Sequence, residues 1–351
     1  MKGEETMKRL TEWIRGYPLA TFFTIAIVFM FALLFPALYL SSLDQPIMQV
    51  FVLYLARLAV YSPVLAGLMV TRWIHPKRSL TSAKKRWLAF GITWIVALAV
   101  LALELRRSVP EDELGWAPLI VLSIPVAFLP AFVFSNAFSK VTSIRDYLST
   151  LIRPRGHLIW YLVALLTFPV VHLLGHGITQ ILSGEESIAN IRINPELLMT
   201  TLLTLIVVFF YSGGINEEAG WRGFAQRHLQ ARYSPLLANL ILWLFLVVWH
   251  IPNDIVQYRE GGYLLVRIGL YPFITILFGW VFNRTRGSIL APAIFHASMN
   301  AMNPLVEVLP MTTAGNVLLI SLALFAILYD RMWERLPTDS PAIYPEVKPI
   351  P

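Results

Sequence analysis

An all-α polytopic bundle that crosses a membrane about ten times is the fold this sequence predicts, on three observations. Hydrophobic residues make up 57% of the 351 and charged ones only 14%, whereas soluble domains carry about 25% charged residues. The mean hydropathy is +0.64. Apolar runs of roughly 20 residues, the length that spans a bilayer as a helix, recur along the chain. Together these exclude intrinsic disorder, a collagen-like fibre and an ordinary soluble domain. The absence of cysteine excludes a disulfide framework, a thiol nucleophile and a Cys-ligated zinc or iron–sulfur centre.

The candidate spans fall at about 18–40, 48–72, 87–105, 116–138, 157–182, 197–215, 235–251, 264–282, 288–306 and 312–330. The first is too long for the core of a signal peptide and has no small-residue cleavage site behind it, so it reads as a retained helix. Lys and Arg mark the cytoplasmic loops. Arg72, Lys77, Arg78, Lys84, Lys85 and Arg86 follow the second span, and Lys140, Arg145, Arg153 and Arg155 follow the fourth. Arg227 and Arg232, then Arg284 and Arg286, then Arg331 and Arg335 fall on the same side if the spans alternate. The opposite loops are poor in base: 41–47 has only Asp44, and 183–196 has Glu185 and Glu186 against Arg192. In the one mild exception, Arg106 and Arg107 are offset by Glu111, Asp112 and Glu113. Ten spans with both termini cytoplasmic satisfy this pattern. The net charge of +7 is thus a topology signal at a bilayer, and nucleic acid is not an expected partner.

We divide the chain into a four-span membrane unit of unassigned role (1–150), a membrane core that carries the polar motifs (151–335) and a tail (336–351). The prolines 337, 341, 345, 349 and 351 of that tail read as an unstructured end.

Ionisable side chains at membrane depth are costly, so each one marks a candidate function. The densest group is Asn216-Glu217-Glu218-Ala219-Gly220-Trp221-Arg222, continuing the apolar run Leu202–Tyr211. Helical spacing lets Glu218 pair with Arg222, four residues on. Glu217 is rotated by about 100° and left without a partner on its own helix. His250 ends the apolar run from Leu236, and His296 and Asn300 share a helix face behind Pro292, which can bend the helix and open a polar gap. At 1.5 Å per residue, Glu217 lies roughly 22 Å from Arg232, and His250 about as far from Ser234, with His296 a little shallower. All three can line one cavity open to the cytoplasmic side. His172 and His176 are also four apart. A zinc-protease helix would need Glu directly after the first histidine, where this chain has Leu173, so packed, hydrogen-bonded histidines are the favoured reading of this pair.

These residues resemble the three motifs of the CPBP intramembrane proteases, the family of the Ras-converting CAAX prenyl endopeptidases and their prokaryotic relatives. Glu217-Glu218-x-x-x-Arg222 matches the EExxxR motif and His296-x-x-x-Asn300 the HxxxN motif. The middle motif, FxxxH, departs: Leu246 stands four before His250, and the phenylalanine is Phe245. The likeness covers roughly residues 155–306. It implies a membrane-embedded, glutamate-dependent endopeptidase. By position, Glu217 would activate water with His250 as its partner, His296 and Asn300 would stabilise the transition state, and Glu218 and Arg222 would support the site. The implied substrates are membrane-associated peptides or proteins, with lipid-modified CAAX-type tails among the candidates. The membrane would be the cell membrane in a prokaryote and the endoplasmic reticulum in a eukaryote.

Peptide hydrolysis needs an activated water, a proton donor for the leaving amine, and donors facing the oxyanion. The residues supply all three types, and there is no G-x-S-x-G elbow for a serine mechanism. No cofactor is assigned. Zinc stays open as the alternative, since Glu217, His250 and His296 are also a zinc-ligand set. Two other classes stay open: a catalytically silent relative acting as a binding or immunity protein, and an ion-coupled transporter. Loss of Glu217 or His250 would favour the first, and both are present. The second predicts internally similar halves, whereas the polar residues crowd into spans five to nine.

Overall fold

The computed structural model describes residues 2–41, 46–74, 83–108, 115–184, 192–257 and 262–344. Within them every regular element is helical, and the chain is a polytopic helix bundle. The N-terminal part holds α1 (Lys2–Gly16), α2 (Pro18–Ser41), α3 (Pro46–Ala59), α4 (Ser62–Ile74), α5 (Ala83–Ser108), α6 (Trp116–Asn136) and α7 (Thr142–Leu148). Then come α8 (Ile159–Ser183), α9 (Pro195–Tyr211), α10 (Ile215–Gly220), α11 (Arg227–Gln230) and α12 (Pro235–Gln257). The last are α13 (Gly262–Gly269), α14 (Tyr271–Arg284), α15 (Leu290–Ala301) and α16 (Thr313–Tyr329).

The outer surface is apolar. Ile181, Leu182, Leu265 and Leu328 are 82%, 80%, 74% and 67% exposed, an arrangement that water would penalise and hydrocarbon accepts. Hydroxyls inside the helices bond back to the carbonyl four residues earlier, as Thr167, Thr179 and Thr204 do to Val163, Gly175 and Thr200. They therefore bring no unmet donor into the bilayer. Local chemistry fixes the helix ends. Asn194 caps α9 by accepting the Leu197 N–H at 2.7 Å, with Pro195 in the first turn. Gly184 closes α8 at φ +74°.

All ten predicted apolar segments are helical, but their lengths divide them. Among the described residues six helices are long and apolar enough to cross a membrane, and a seventh is counted if the bent pair α3–α4 is one span. The segments predicted at 264–282, 288–306 and 312–330 are shorter: α13 and α14 part at Leu270, α15 has 12 residues and α16 has 17. At 1.5 Å per residue α15 is roughly 18 Å long, against about 30 Å of hydrocarbon. The loop residues Asp44, Lys77, Arg78, Glu111, Asp112, Glu113, Glu185 and Glu186 lie outside the described residues, as do Pro345, Pro349 and Pro351.

Two interruptions position the site. The predicted second span bends by 44° between α3 and α4, where Pro63 removes a backbone donor in the first turn of α4. The Val60 carbonyl at the break accepts from Asn216 Nδ2 at 3.0 Å, and the Tyr61 hydroxyl bonds the Phe210 carbonyl. The second interruption, Ser212–Gly214, separates α9 from α10, with Gly213 at φ +128°. Each break satisfies the polar groups of the other, as the membrane interior requires. A Cβ at Gly220 would fall 2.4 Å from Pro63, which shows how closely α10 and α4 approach.

Phe22, Tyr61, Trp221, Phe224 and Trp249 form a core shared by α2, α4, α12 and the 215–226 segment. A second core joins α8, α14, α15 and α16, and a third joins α5, α6 and α9. The first core crosses the boundary drawn at residue 150. Where the prolines predict an unstructured end, residues up to Tyr344 are docked. Ala342, Ile343 and Tyr344 are buried, and Tyr344 N–H donates to the Arg227 carbonyl at 3.0 Å.

Candidate active site

Glu217 and Glu218 lie in α10, and the helix continues through a π-helical turn, Trp221–Gln226, that carries Arg222. Such wide turns recur at functional sites. His250 comes from α12, and His296 and Asn300 come from α15. All six side chains border one cavity of about 210 Å³ between the first two cores. The convergence expected from depth arithmetic is thus present.

Glu218 is the hub. Its side chain is fully buried. Arg222 Nη1 lies 3.0 Å from Oε2 and donates to Oε1 at 3.2 Å, and His296 Nδ1 meets Oε1 at 2.8 Å. The Arg222 guanidinium also lies over the Phe278 ring, 4.3 Å from its centroid. The anion therefore has two cationic or hydrogen-bonding partners, which a buried carboxylate needs. Glu217 differs. Among the described residues its carboxylate makes no hydrogen bond and no ion pair, and it borders the cavity with 5% exposure.

The two histidines are oriented through the same ring nitrogen by different partners. His250 Nδ1 lies 2.7 Å from the Leu246 carbonyl. A carbonyl can only accept, so Nδ1 carries the proton and Nε2 is left as the basic atom. The adjacent Trp249 donates to Ser62 Oγ at 2.9 Å, pinning α12 to α4. His296 is held through Nδ1 by Glu218, and its Nε2 lies over Gly213, where a Cβ would come within 2.2 Å. Asn300 Nδ2 donates to the Ser212 carbonyl at 3.4 Å, a long bond that leaves its second amide hydrogen for another acceptor. Phe245, out of register with the FxxxH pattern, stacks on Phe23 at 3.6 Å, while Leu246 borders the cavity.

His172 and His176 are not on the cavity wall. Their rings bond the Leu309 and Pro310 carbonyls at 3.0 and 2.8 Å and tie α8 to the chain beyond α15. Among the described residues no three His, Asp or Glu side chains are grouped to hold a metal ion. The zinc-ligand set Glu217, His250 and His296 does not fit as arranged.

The motifs do not include Arg267 and Asp254, a buried pair at the cavity edge. Arg267 Nε and Nη2 donate to the two Asp254 oxygens at 2.7 and 2.9 Å, and the guanidinium lies over the Tyr271 ring. Arg267 lines the same cavity as Glu217 and His250. The signal that could have found it is a lone arginine within the apolar run 264–282.

The fold and the cavity define an integral membrane protein of the polytopic helical class, with a buried Glu–His–Asn constellation at its centre. Residues 198–302 match the family model described as type II CAAX prenyl endopeptidase Rce1-like, the stretch that carries the motifs resembling those of the CPBP proteases. The chain is also 29% identical over 187 residues to the CAAX prenyl protease 2 of Methanococcus maripaludis, an alignment covering 48% of this chain and 68% of the relative.

Proposed function

We propose that the cavity hydrolyses peptide bonds of membrane-associated substrates with a water activated by Glu217. The observation that carries this reading is the contrast between neighbours: Glu218 is held by Arg222 and His296, while Glu217 faces the cavity with no hydrogen bond or ion pair among the described residues. A general base needs a free acceptor beside the water it deprotonates. Glu217 takes the proton of the attacking water, His250 Nε2 accepts a hydrogen bond from that water, and the proton passes to the leaving amine. Asn300, one helical turn beyond His296, donates its second amide hydrogen to the developing oxyanion. Glu218 and Arg222 act through His296, fixing its ring.

The name of the Methanococcus relative extends the proposal to substrate class: a lipid-modified CAAX-type tail presented at the membrane surface. We place the site on the cytoplasmic side, with both termini cytoplasmic, on the loop charges. The deciding experiment compares peptide termini in membranes containing the wild-type protein and Glu217→Ala. Termini that depend on Glu217 name the substrate, and identical profiles would sink the proposal.

A further inference from the structure

A second polar cavity adjoins the first. It encloses about 330 Å³ between Arg57 of α3, Glu104 and Arg107 of α5, and Thr200, Thr204 and Val208 of α9. Ser212 and Asn303 line both cavities, so the two meet beside Asn300. Along α9 the lining residues 200, 204, 208 and 212 recur every fourth position and make one stripe, roughly 18 Å long at 1.5 Å per residue. Burial changes in order along it: Arg107 is exposed at the outer end, Thr200 and Thr204 are half-buried, and Val208 is buried.

The charges match a wet interior. Arg57 pairs with Glu104, and Arg107 bonds Thr200 Oγ1. The Arg57 and Glu104 side chains keep 14% and 24% exposure among helices whose outer faces are apolar. Ionised groups in such a place face a bundle interior or a water-filled space. Apart from α9, Ser212 and Asn303, this wall belongs to the N-terminal spans, which the family match does not reach.

We propose that this cavity is the water path to the site, a polar conduit entered at the end of the bundle where α5 stops and α9 begins. The inference rests on the hydrolytic reading for its purpose, because each peptide bond cut consumes one water. Its geometry stands apart from that reading.

The lack of cysteine makes single-cysteine labelling a direct test. Thr204→Cys, Ser212→Cys and, as a control on the apolar face of α9, Ile206→Cys are reconstituted in vesicles of sorted orientation. A membrane-impermeant cationic thiosulfonate is then added to either side. Thr204→Cys should react far faster than Ile206→Cys, from the side that also labels Arg107→Cys. Labelling of Ser212→Cys from that side should fall by an order of magnitude when Thr200→Trp fills the mouth. Thr204→Leu gives the same test if the tryptophan disturbs folding. Labelling of Ser212→Cys only from the opposite side, or at a rate unchanged by either plug, would overturn the conduit. Labelling reports water access and not cleavage. A protein that labels as expected but cuts nothing keeps the conduit and loses the hydrolytic reading.

Discussion

His296 Nδ1 lies 2.8 Å from Oε1 of Glu218, while Glu217, one residue earlier, makes no such contact. Adjacent positions on a helix point about 100° apart, so one carboxylate is turned toward α15 and the other toward the cavity. Two acids of the same type thereby have different surroundings: one is tied to Arg222 and His296, and the other is left facing the cavity.

The two glutamines should therefore separate. Glu217→Gln should abolish cleavage and leave the melting temperature of the detergent-solubilised protein close to wild type, since it breaks no bond. Glu218→Gln strands Arg222, and breaking a buried pair costs about 3–5 kcal/mol. It should lower the melting temperature clearly and weaken activity through the loosened His296 ring. Full activity in purified Glu217→Gln would remove that residue from the mechanism.

Gly213 offers a test of the helix break. Its φ of +128° is unsuited to side chains, and a Cβ would lie 2.2 Å from His296 Nε2. Backbone strain of this kind costs roughly 1–3 kcal/mol, and the ring would also have to move. Gly213→Ala should lose most turnover together with a few degrees of melting temperature. Gly91→Ala, where nothing lies within 4 Å, is the matched control and should change neither.

The helices and the convergence of six polar side chains on one cavity were legible in the sequence because both rest on local rules. Apolar length marks a buried helix, and i,i+4 spacing brings Glu218 to Arg222 and His296 in line with Asn300. The bend at Val60–Tyr61 was not legible. Its backbone polar group is met by Asn216, more than 150 residues away, and no window along the chain contains both. The same holds for Arg267 and Asp254, whose spacing of 13 residues bridges two helices. The docking of Ala342–Tyr344 was not legible either, because composition reports backbone stiffness and says nothing of the bonds that Arg227 and Gln230 make with this stretch.

That docked end is testable by itself. Tyr344 stacks on His228 at 3.9 Å, and Gln230 Nε2 donates to the Ala342 carbonyl at 2.9 Å. Burial is the main cause pushing the Tyr344 phenol above its ordinary 10.0. A raised folded-state value means the contribution is fully present below pH 10.0 and lost only as pH climbs through that raised value. Burying a large side chain is worth about 1.5–3 kcal/mol. Tyr344→Ala should therefore lower the melting temperature equally at pH 6 and pH 8. A drop confined to one of these pH values would show that the phenol titrates where this packing forbids it.

Asn300 and the question of metal can be settled on one preparation. His250 and His296 each have Nδ1 engaged, by the Leu246 carbonyl and by Glu218, so neither ring needs a metal to fix it. Water activation then falls to Glu217 and His250, and the amide of Asn300 is the donor left for the oxyanion. Removing one such donor typically costs about 10²–10³ in turnover. Asn300→Ala should lower kcat by roughly that factor with KM little changed, the pattern of an interaction made in the transition state. Some stability will be lost with the Ser212 bond, in Asn300→Asp as in Asn300→Ala, since a carboxylate cannot donate to that carbonyl; Asn300→Asp, which lacks the amide donor, should be as slow. Activity of the wild-type protein should survive dialysis against a chelator, with far less than one equivalent of metal by elemental analysis. Stoichiometric zinc that disappears in both His250→Ala and His296→Ala, with activity restored to the chelated wild type by added zinc, would overturn the metal-free mechanism and keep the same residues in the site.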